Sequence, residues 1–179
     1  MREATKFELY DSTGHWLFRL SKAMTDHFQR LLNPYGLIPG EWNILSSLYH
    51  RRARSPGEIS AYIGKTPAAV TKLLDSLERK GLVVRRPGPN RRSLEVHLTQ
   101  AGRAITPKIA ALSRATNEHF LAILDREQRL LFQAALRKIL ESQGVRQQGI
   151  GQIANGHLSS RERKAAWKGN ALPVSEDTR

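Results

Sequence analysis

Two helix-start signals, one on each side of Gly64, are the feature of this sequence that most restricts its fold. The stretch SPGE at 55–58 has the residues of a capping box, in which the serine oxygen and the glutamate side chain each accept a backbone N–H of the first turn. A short helix over roughly 56–63 is therefore predicted, and Gly64 ends it. TP at 66–67 repeats the start signal for a second helix with a leucine-rich face. This spacing predicts a helix-turn-helix.

The exposed face predicted for the second of these helices is small and rich in hydrogen-bond donors. Small residues permit close approach to a DNA major groove, and threonine and lysine side chains reach base edges or phosphates. We therefore expect this helix to read double-stranded DNA. At 100° per residue, the side opposite the leucine stripe carries Ala68, Lys72, Asp75 and Arg79, with Lys65 and Thr71 at its margins.

Two short apolar segments after this helix predict a β-hairpin. Residues 82–84 and 94–98 are typical of strands in their branched and alternating residues. The turn formers between them are Pro87, Gly88, Pro89 and Asn90. Arg91 and Arg92 then fall at the tip, where an arginine is placed to enter an A·T-narrowed minor groove. The alternative is a charged hairpin that only increases solubility.

Amphipathic helices are predicted on both sides of this region. Residues 12–32 repeat apolar side chains at spacings of three and four, and another helix follows Pro39. Thr99 starts a long helix, in which Pro107 predicts either a kink or a restart, and Asp125 starts a further one. The central domain is too small to bury these apolar faces. Pairing with a second copy is the simplest solution, so a homodimer is expected.

The predicted fold class is mainly α with a small β-wing, a winged helix-turn-helix flanked by N- and C-terminal dimerisation helices. After Gly144 the sequence becomes polar, contains glycine and serine and loses its helical periodicity, so it is expected to be disordered or weakly docked, with a short helix possible only at SSRERKAAWK. The predicted divisions are a helix contributing to dimerisation at 1–34, the winged helix-turn-helix at 35–99, the C-terminal dimerisation helices at 100–144 and a basic, partly disordered tail at 145–179.

The charge balance favours a polyanionic partner. The 179 residues include 29 Lys and Arg against 16 Asp and Glu, and residues 51–92 alone hold 11 basic and 3 acidic side chains. Solvated basic helix faces are the alternative explanation. No apolar run approaches the roughly 20 residues of a membrane span, and the N-terminus has no signal-peptide core. We therefore expect a cytoplasmic, nucleoid-associated protein with nucleic acid rather than membrane as partner.

Several other classes of chemistry find little support. The chain has no cysteine, which excludes disulfides, thiol switches and cysteine-ligated zinc. Its six histidines show no close ligand spacing, although a zinc site assembled by folding stays open. There is no glycine-rich phosphate loop, HExxH motif or nucleophile elbow, so neither an enzyme nor a cofactor is expected. RNA is less favoured than DNA, because a helix does not fit the narrow A-form major groove.

The order of two helices, SPGEISAYIGKTPAAVTKLLDSLERKGLVVRR, an NRR wing and VHLTQAG resembles the MarR family of bacterial transcriptional regulators over roughly residues 12–142. The most specific stretches are 77–82 and 98–102. The resemblance implies a homodimer that reads a pseudo-palindromic operator, usually as a repressor released by a small, often phenolic or carboxylated, ligand. The family's wing usually carries Asp-x-Arg. Asn90 stands in place of the acid here, so bracing of Arg92 is weaker.

Two sets of site residues follow. The predicted DNA-binding residues are Ser55, Lys65, Thr66, Ala68, Thr71, Lys72, Arg85, Arg86, Asn90, Arg91 and Arg92. The resemblance also implies an effector pocket between the dimerisation helices and the reader, for which the matching regions offer His15, Trp16, Arg19, Trp42, Asn43 and Ser46. Aromatic rings beside Arg or His suit an aromatic carboxylate, but for each tryptophan taken singly core or interface packing is the favoured explanation. The alternative function is a ligand-independent architectural or constitutive DNA-binding protein.

Overall fold

The computed structural model describes residues 9–88 and 93–143, which contain six α-helices and one two-stranded antiparallel sheet. All of these residues belong to one unit, Met1–Gly149. The tail predicted at 145–179 lies outside the described residues. The elements are α1 (Thr13–Leu32), α2 (Pro39–Tyr49), α3 (Pro56–Ile63), α4 (Pro67–Arg79), β1 (Val83–Pro87), β2 (Leu94–Leu98), α5 (Gln100–Leu121) and α6 (Arg126–Ser142).

The helix starts lie where the sequence predicted them, and those of α1, α3, α4, α5 and α6 are each fixed by the side chain of the N-cap residue. The Ser55 side chain accepts from the Glu58 N–H, and the Glu58 carboxylate accepts from the Ser55 N–H in return. Thr66 and Thr99 cap α4 and α5. Asp125 caps α6: its carboxylate accepts from the Gln128 N–H, and its own N–H donates to the Gln128 side-chain oxygen. The predicted mainly helical fold with a small β-wing is therefore confirmed.

Two local predictions need correction. The sequence predicts Pro87 in the turn, but it is the last residue of β1 and pairs with Leu94. The strand is extended because Arg85 and Arg86 also find partners on β2, and a proline is tolerated at the end of a strand. A helix restart at Pro107 is also wrong, since α5 runs through it without a break.

The core lies within the helix-turn-helix and its hairpin. Side chains from α2, α3, α4 and both strands are buried together, and Phe28, Leu32 and Ile109 join them from α1 and α5. At about 25 cal/mol per Å² of apolar surface, this cluster is the main source of stability for the described unit. The fully buried members from α2, α3 and α4 are Ile44, Leu45, Ile59, Val70, Leu74 and Leu77.

A tight joint connects the hairpin to α5. The Thr99 N–H donates to the Leu82 carbonyl at 3.1 Å, and the Thr99 hydroxyl donates to the Gly81 carbonyl at 2.7 Å. Gly102 then passes so close to Leu82 that a Cβ there would overlap the Leu82 carbonyl oxygen. Only glycine fits at this position, so the start of α5 is held directly against the start of β1.

The outer helices leave much of their apolar surface open. None of the residues of α6 is buried, and even its apolar residues Ile139 and Leu140 are exposed. At the other end of the unit, Tyr10, Trp16 and Phe18 are also exposed. No described helix is both long and apolar enough to cross a membrane.

Candidate nucleic-acid interface

The turn between α3 and α4 is shaped by Gly64 and Ser60. Gly64 has a φ of 64°, which glycine adopts without strain. The Ser60 hydroxyl donates to the Lys65 carbonyl at 2.5 Å, and the Lys65 N–H donates to the Ser60 carbonyl. These bonds fix the angle at which α4 leaves α3, and they leave the Lys65 side chain exposed.

The α4 helix divides into a buried and an open face, as its sequence predicted. Val70, Leu74 and Leu77 are buried against the rest of the domain. The opposite face of the first two turns is exposed, together with the residue that caps it: Thr66, Ala68, Thr71 and Lys72. The Thr71 hydroxyl donates to the Pro67 carbonyl at 3.0 Å, so its free lone pairs are left to accept a hydrogen bond. Within the described residues, Lys65 and Lys72 form no ion pair.

Ser55, the N-cap residue of α3, directly follows a loop that carries three arginines, Arg51, Arg52 and Arg54. Glu58 accepts hydrogen bonds from the backbone N–H groups of Arg54 at 2.7 Å and Ser55 at 3.0 Å. These backbone bonds, chiefly the one from Ser55, lower the pKa of Glu58 below its ordinary value. The Glu58 carboxylate therefore stays ionised at neutral pH and rigidly holds the first turn of α3.

Arg85, at the base of the wing, is occupied by partners from α4. Its guanidinium bonds the Asp75 carboxylate at 2.6 Å and the Glu78 carboxylate at 2.8 Å, and its side chain is only 23% exposed. The DNA contact predicted for Arg85 stays a prediction, but these contacts give it a structural role first. The neighbouring Arg86 is exposed and lies opposite Glu95 in the register of the two strands. Asn90, Arg91 and Arg92 lie outside the described residues.

The residues predicted for an effector pocket do not meet within this chain. His15 and Trp16 form an aromatic group with Tyr10, in which the Trp16 indole N–H donates to the Tyr10 carbonyl at 2.8 Å. Trp42 instead contacts Phe28, which lies about 18 Å further along α1 than Trp16 at the usual helical rise. Asn43 is exposed, as Arg19 is, and Ser46 is half-buried. The two groups thus form separate clusters.

Two features of the site were missed by sequence reasoning. One is the buried Glu41 carboxylate of α2, which binds Lys80 at 2.6 and 2.7 Å and so ties α2 to the end of α4. The other is a cleft of about 390 Å³ beside β2, which includes Arg51, Arg54 and Arg103 in its lining. Neither has a local sequence signature, because each joins distant segments. Among the described residues no cluster of His, Asp or Glu is arranged to hold a metal ion.

Comparison with known proteins shows which family this order of elements resembles. The MarR family profile matches residues 35–93, the span of the helix-turn-helix and most of the wing. The HTH-type transcriptional repressor Rv2887 of Mycobacterium tuberculosis is 31% identical over 127 residues, which cover 70% of this chain and 91% of that protein.

Solved structures of MarR family proteins have a similar fold. The M. tuberculosis MarR family protein Rv2887 in complex with salicylic acid superposes with a TM-score of 0.59 at 30% identity, over 72% of this chain and 96% of that one. An E. coli MarR mutant complexed with operator DNA shares the fold, with a TM-score of 0.69 at 22% identity over 75% and 99% of the two chains. Given the extent of the match to Rv2887, this chain belongs to the MarR family and is a DNA-binding transcriptional regulator.

Proposed function

We propose that this protein is a homodimeric repressor that binds a pseudo-palindromic operator and is released by a small ligand. It acts by binding rather than by catalysis, in the cytoplasm. The observation that carries the DNA-reading part is the exposed face of α4, where Thr71 and Lys72 stand clear of carboxylate partners while the opposite face is buried. A helix with this profile, capped at its N-terminus and carrying lysines near it, suits insertion into a major groove.

The reading role of α4 is tested by replacing Thr71 and Lys72 together with alanine. Both side chains are exposed, so the free energy of unfolding should change by less than about 0.5 kcal/mol. Fluorescence anisotropy, with an operator selected from a random pool, should show that the variant no longer distinguishes operator from random duplex. Lys108→Ala on α5 is the control, since it also removes an exposed lysine outside the helix-turn-helix. Retained discrimination in the double variant would place the reading function elsewhere.

The homodimer is supported by the apolar surface that the protomer leaves open. The α6 helix has apolar residues at helical spacing yet buries none of them, and the exposed Ile139 is among them. Trp16 and Phe18 are similarly open near the start of α1. Monomeric proteins rarely expose apolar surface at both ends of a chain in this way, and a second copy covers both sets by symmetry.

The dimer is tested by light scattering at micromolar concentration. The wild-type mass should be twice the 20.2 kDa of the chain. Ile139→Glu should weaken association by at least about 2 kcal/mol, because a symmetric interface would bury two unpaired carboxylates. Gln133→Glu adds the same charge at an exposed polar position of α6 and should leave the mass unchanged. A stable wild-type monomer would contradict the proposal.

The ligand part of the proposal is supported by the solved complex of Rv2887 with salicylic acid. In this chain the aromatic group of Tyr10, His15 and Trp16, with Arg19 one turn further on, offers ring surfaces beside a cation. The His15 Nε2 atom is buried without a hydrogen-bond partner among the described residues. An aromatic carboxylate is therefore the ligand class proposed for this group.

A further inference from the structure

A second and separate basic cleft lies between the helix-turn-helix and α5. Its volume is about 390 Å³, within the range of small-molecule sites. Four segments build it: the end of α2, the loop that leads into α3, strand β2 and the first turn of α5. None of the residues proposed above for DNA reading or for the aromatic ligand lines this cleft.

The charge of the cleft is one-sided. Arg51, Arg54 and Arg103 line it together with His97, and no aspartate or glutamate does. Within the described residues none of the three guanidinium groups forms an ion pair. Two acids lie next to this lining, since Glu95 contacts His97 at 3.1 Å, and Glu58 accepts the Arg54 N–H at 2.7 Å and interacts electrostatically with Arg54. The three guanidinium groups still outnumber these carboxylates, and their excess positive charge in one concave site favours an anion with more than one charge.

The backbone at Arg51 supports a functional use of its side chain. Arg51 has a φ of 54°, and among the described residues it alone has positive φ without being glycine. Two hydrogen bonds hold this strained turn, from the Arg51 N–H to the Leu48 carbonyl and from the Arg52 N–H to the Ser47 carbonyl. Glycine or asparagine would adopt the turn with less strain. An arginine here projects a long cation into the cleft at a conformational cost.

We propose that this cleft binds a small oxyanion carrying at least two negative charges, a phosphate ester or a dicarboxylate, and that its occupancy weakens operator binding. The coupling rests on the proposed function. Arg54 directly precedes the Ser55 cap of α3, and its carbonyl accepts from the Val96 N–H of β2 at 2.7 Å. An anion held by Arg54 and Arg103 therefore acts on the start of the reader, the wing and α5 together, and lowers the positive potential that attracts DNA.

Binding is tested by calorimetry on the full-length protein without DNA. Inorganic phosphate and malonate, both dianions at pH 8, are titrated at that pH and constant ionic strength, with acetate as a single-charge comparison. Phosphate or malonate should bind at least about tenfold more tightly than acetate, and the tighter of the two identifies the anion as phosphate-like or dicarboxylate-like. Arg51→Gln/Arg103→Gln should lower this affinity at least about tenfold, and Arg103→Lys should retain part of it. Arg52→Gln is the matched control, because Arg52 is exposed and adjacent but does not line the cleft.

Equal affinity in the double variant and the wild type, or no binding of either dianion at millimolar concentration, would overturn the site. An unchanged thermal midpoint of Arg103→Lys and Arg52→Gln shows that the comparison concerns folded protein.

Coupling is tested by operator anisotropy with and without the tighter dianion at fixed ionic strength. The wild-type operator Kd should rise at least about threefold, whereas the Kd of the double variant should not respond. An equal rise in both proteins would show ionic competition only and overturn the coupling. A double variant that loses operator affinity, together with a wild type that binds neither dianion, would assign the cleft to duplex phosphates instead. Dianion binding without any duplex binding would refute the proposed function and leave the site standing.

Discussion

At the scale of the residue, Gly102 is the position where one added carbon should matter most. Its missing Cβ makes room for the Leu82 carbonyl oxygen, which also accepts the Thr99 N–H. Gly102→Ala must separate α5 from β1 or break that hydrogen bond. We expect the free energy of unfolding to fall by more than about 2 kcal/mol, measured by urea denaturation.

The matched control is Gly57→Ala in α3. A Cβ at Gly57 meets nothing within 4 Å, and its φ lies outside the left-handed region. Alanine there should be neutral or stabilise by up to about 1 kcal/mol, because it reduces the freedom of the unfolded chain. A loss at Gly57 as large as that at Gly102, or no loss at Gly102, would contradict the steric explanation of the joint.

His27 gives the fold a pH-dependent contact. Its ring stacks on His119 at 4.6 Å between centroids, and its Nδ1 lies 3.3 Å from the Thr116 hydroxyl. Burial lowers the pKa of His27, and the neighbouring His119 and Arg30 lower it further. The unfolded chain therefore takes up a proton first as the pH falls below about 6.5, so this contribution to stability is complete above that pH and is lost below it.

The corresponding measurement is the thermal midpoint between pH 7.5 and 5.0. We expect the wild-type midpoint to fall through this range, and His27→Gln to remove part of that fall while keeping a polar group near Thr116. His50→Gln is the control, because His50 is exposed and its ring contacts only Tyr49 among the described aromatic residues. An identical pH profile for wild type and His27→Gln would contradict this prediction.

At the scale of the element, Arg85 joins β1 to α4 and neutralises two carboxylates near the face of α4 that is proposed to read DNA. Asp75 and Glu78 are both exposed, so the stability lost in Arg85→Met should be under about 1 kcal/mol. Operator binding should weaken more, by roughly 1–3 kcal/mol, because two unpaired carboxylates would then face the phosphates. Operator anisotropy measures the loss of binding and urea denaturation measures the loss of stability, so the two effects are determined separately.

The triple variant Arg85→Met/Asp75→Asn/Glu78→Gln decides how Arg85 acts. If Arg85 works by neutralising its partners, removing their charge should restore most of the operator affinity. If the loss persists, Arg85 contacts DNA directly, as the sequence first suggested.

The elements predicted best from sequence are those defined by local chemistry. Caps such as Ser55 and Thr99 act within one turn, so their sequence carries the whole signal. The extent of β1 was underestimated, since Arg85 and Pro87 are strand residues only through their pairing with Val96 and Leu94. Pairing partners across a hairpin are not readable from one strand alone.

At the scale of the whole molecule, the sequence predicted the order of elements and the open face of α4 but not the contacts between distant segments. The basic cleft draws Arg51, Arg54 and Arg103 from two segments on either side of the hairpin, and no spacing in the chain announces it. The separation of Trp16 from Trp42 was likewise hidden, because helix packing, not periodicity, places Trp42 beside Phe28.

The joint at Thr99 and Gly102 has a mechanical consequence. Two hydrogen bonds and the close passage of Gly102 against Leu82 leave no slack where the hairpin meets α5. Beyond the joint α5 continues unbroken for 22 residues. We expect a rotation of α5 to move the hairpin with it, because no flexible loop separates the two. Under the proposed function, a displacement of α5 would therefore change the position of the wing relative to DNA.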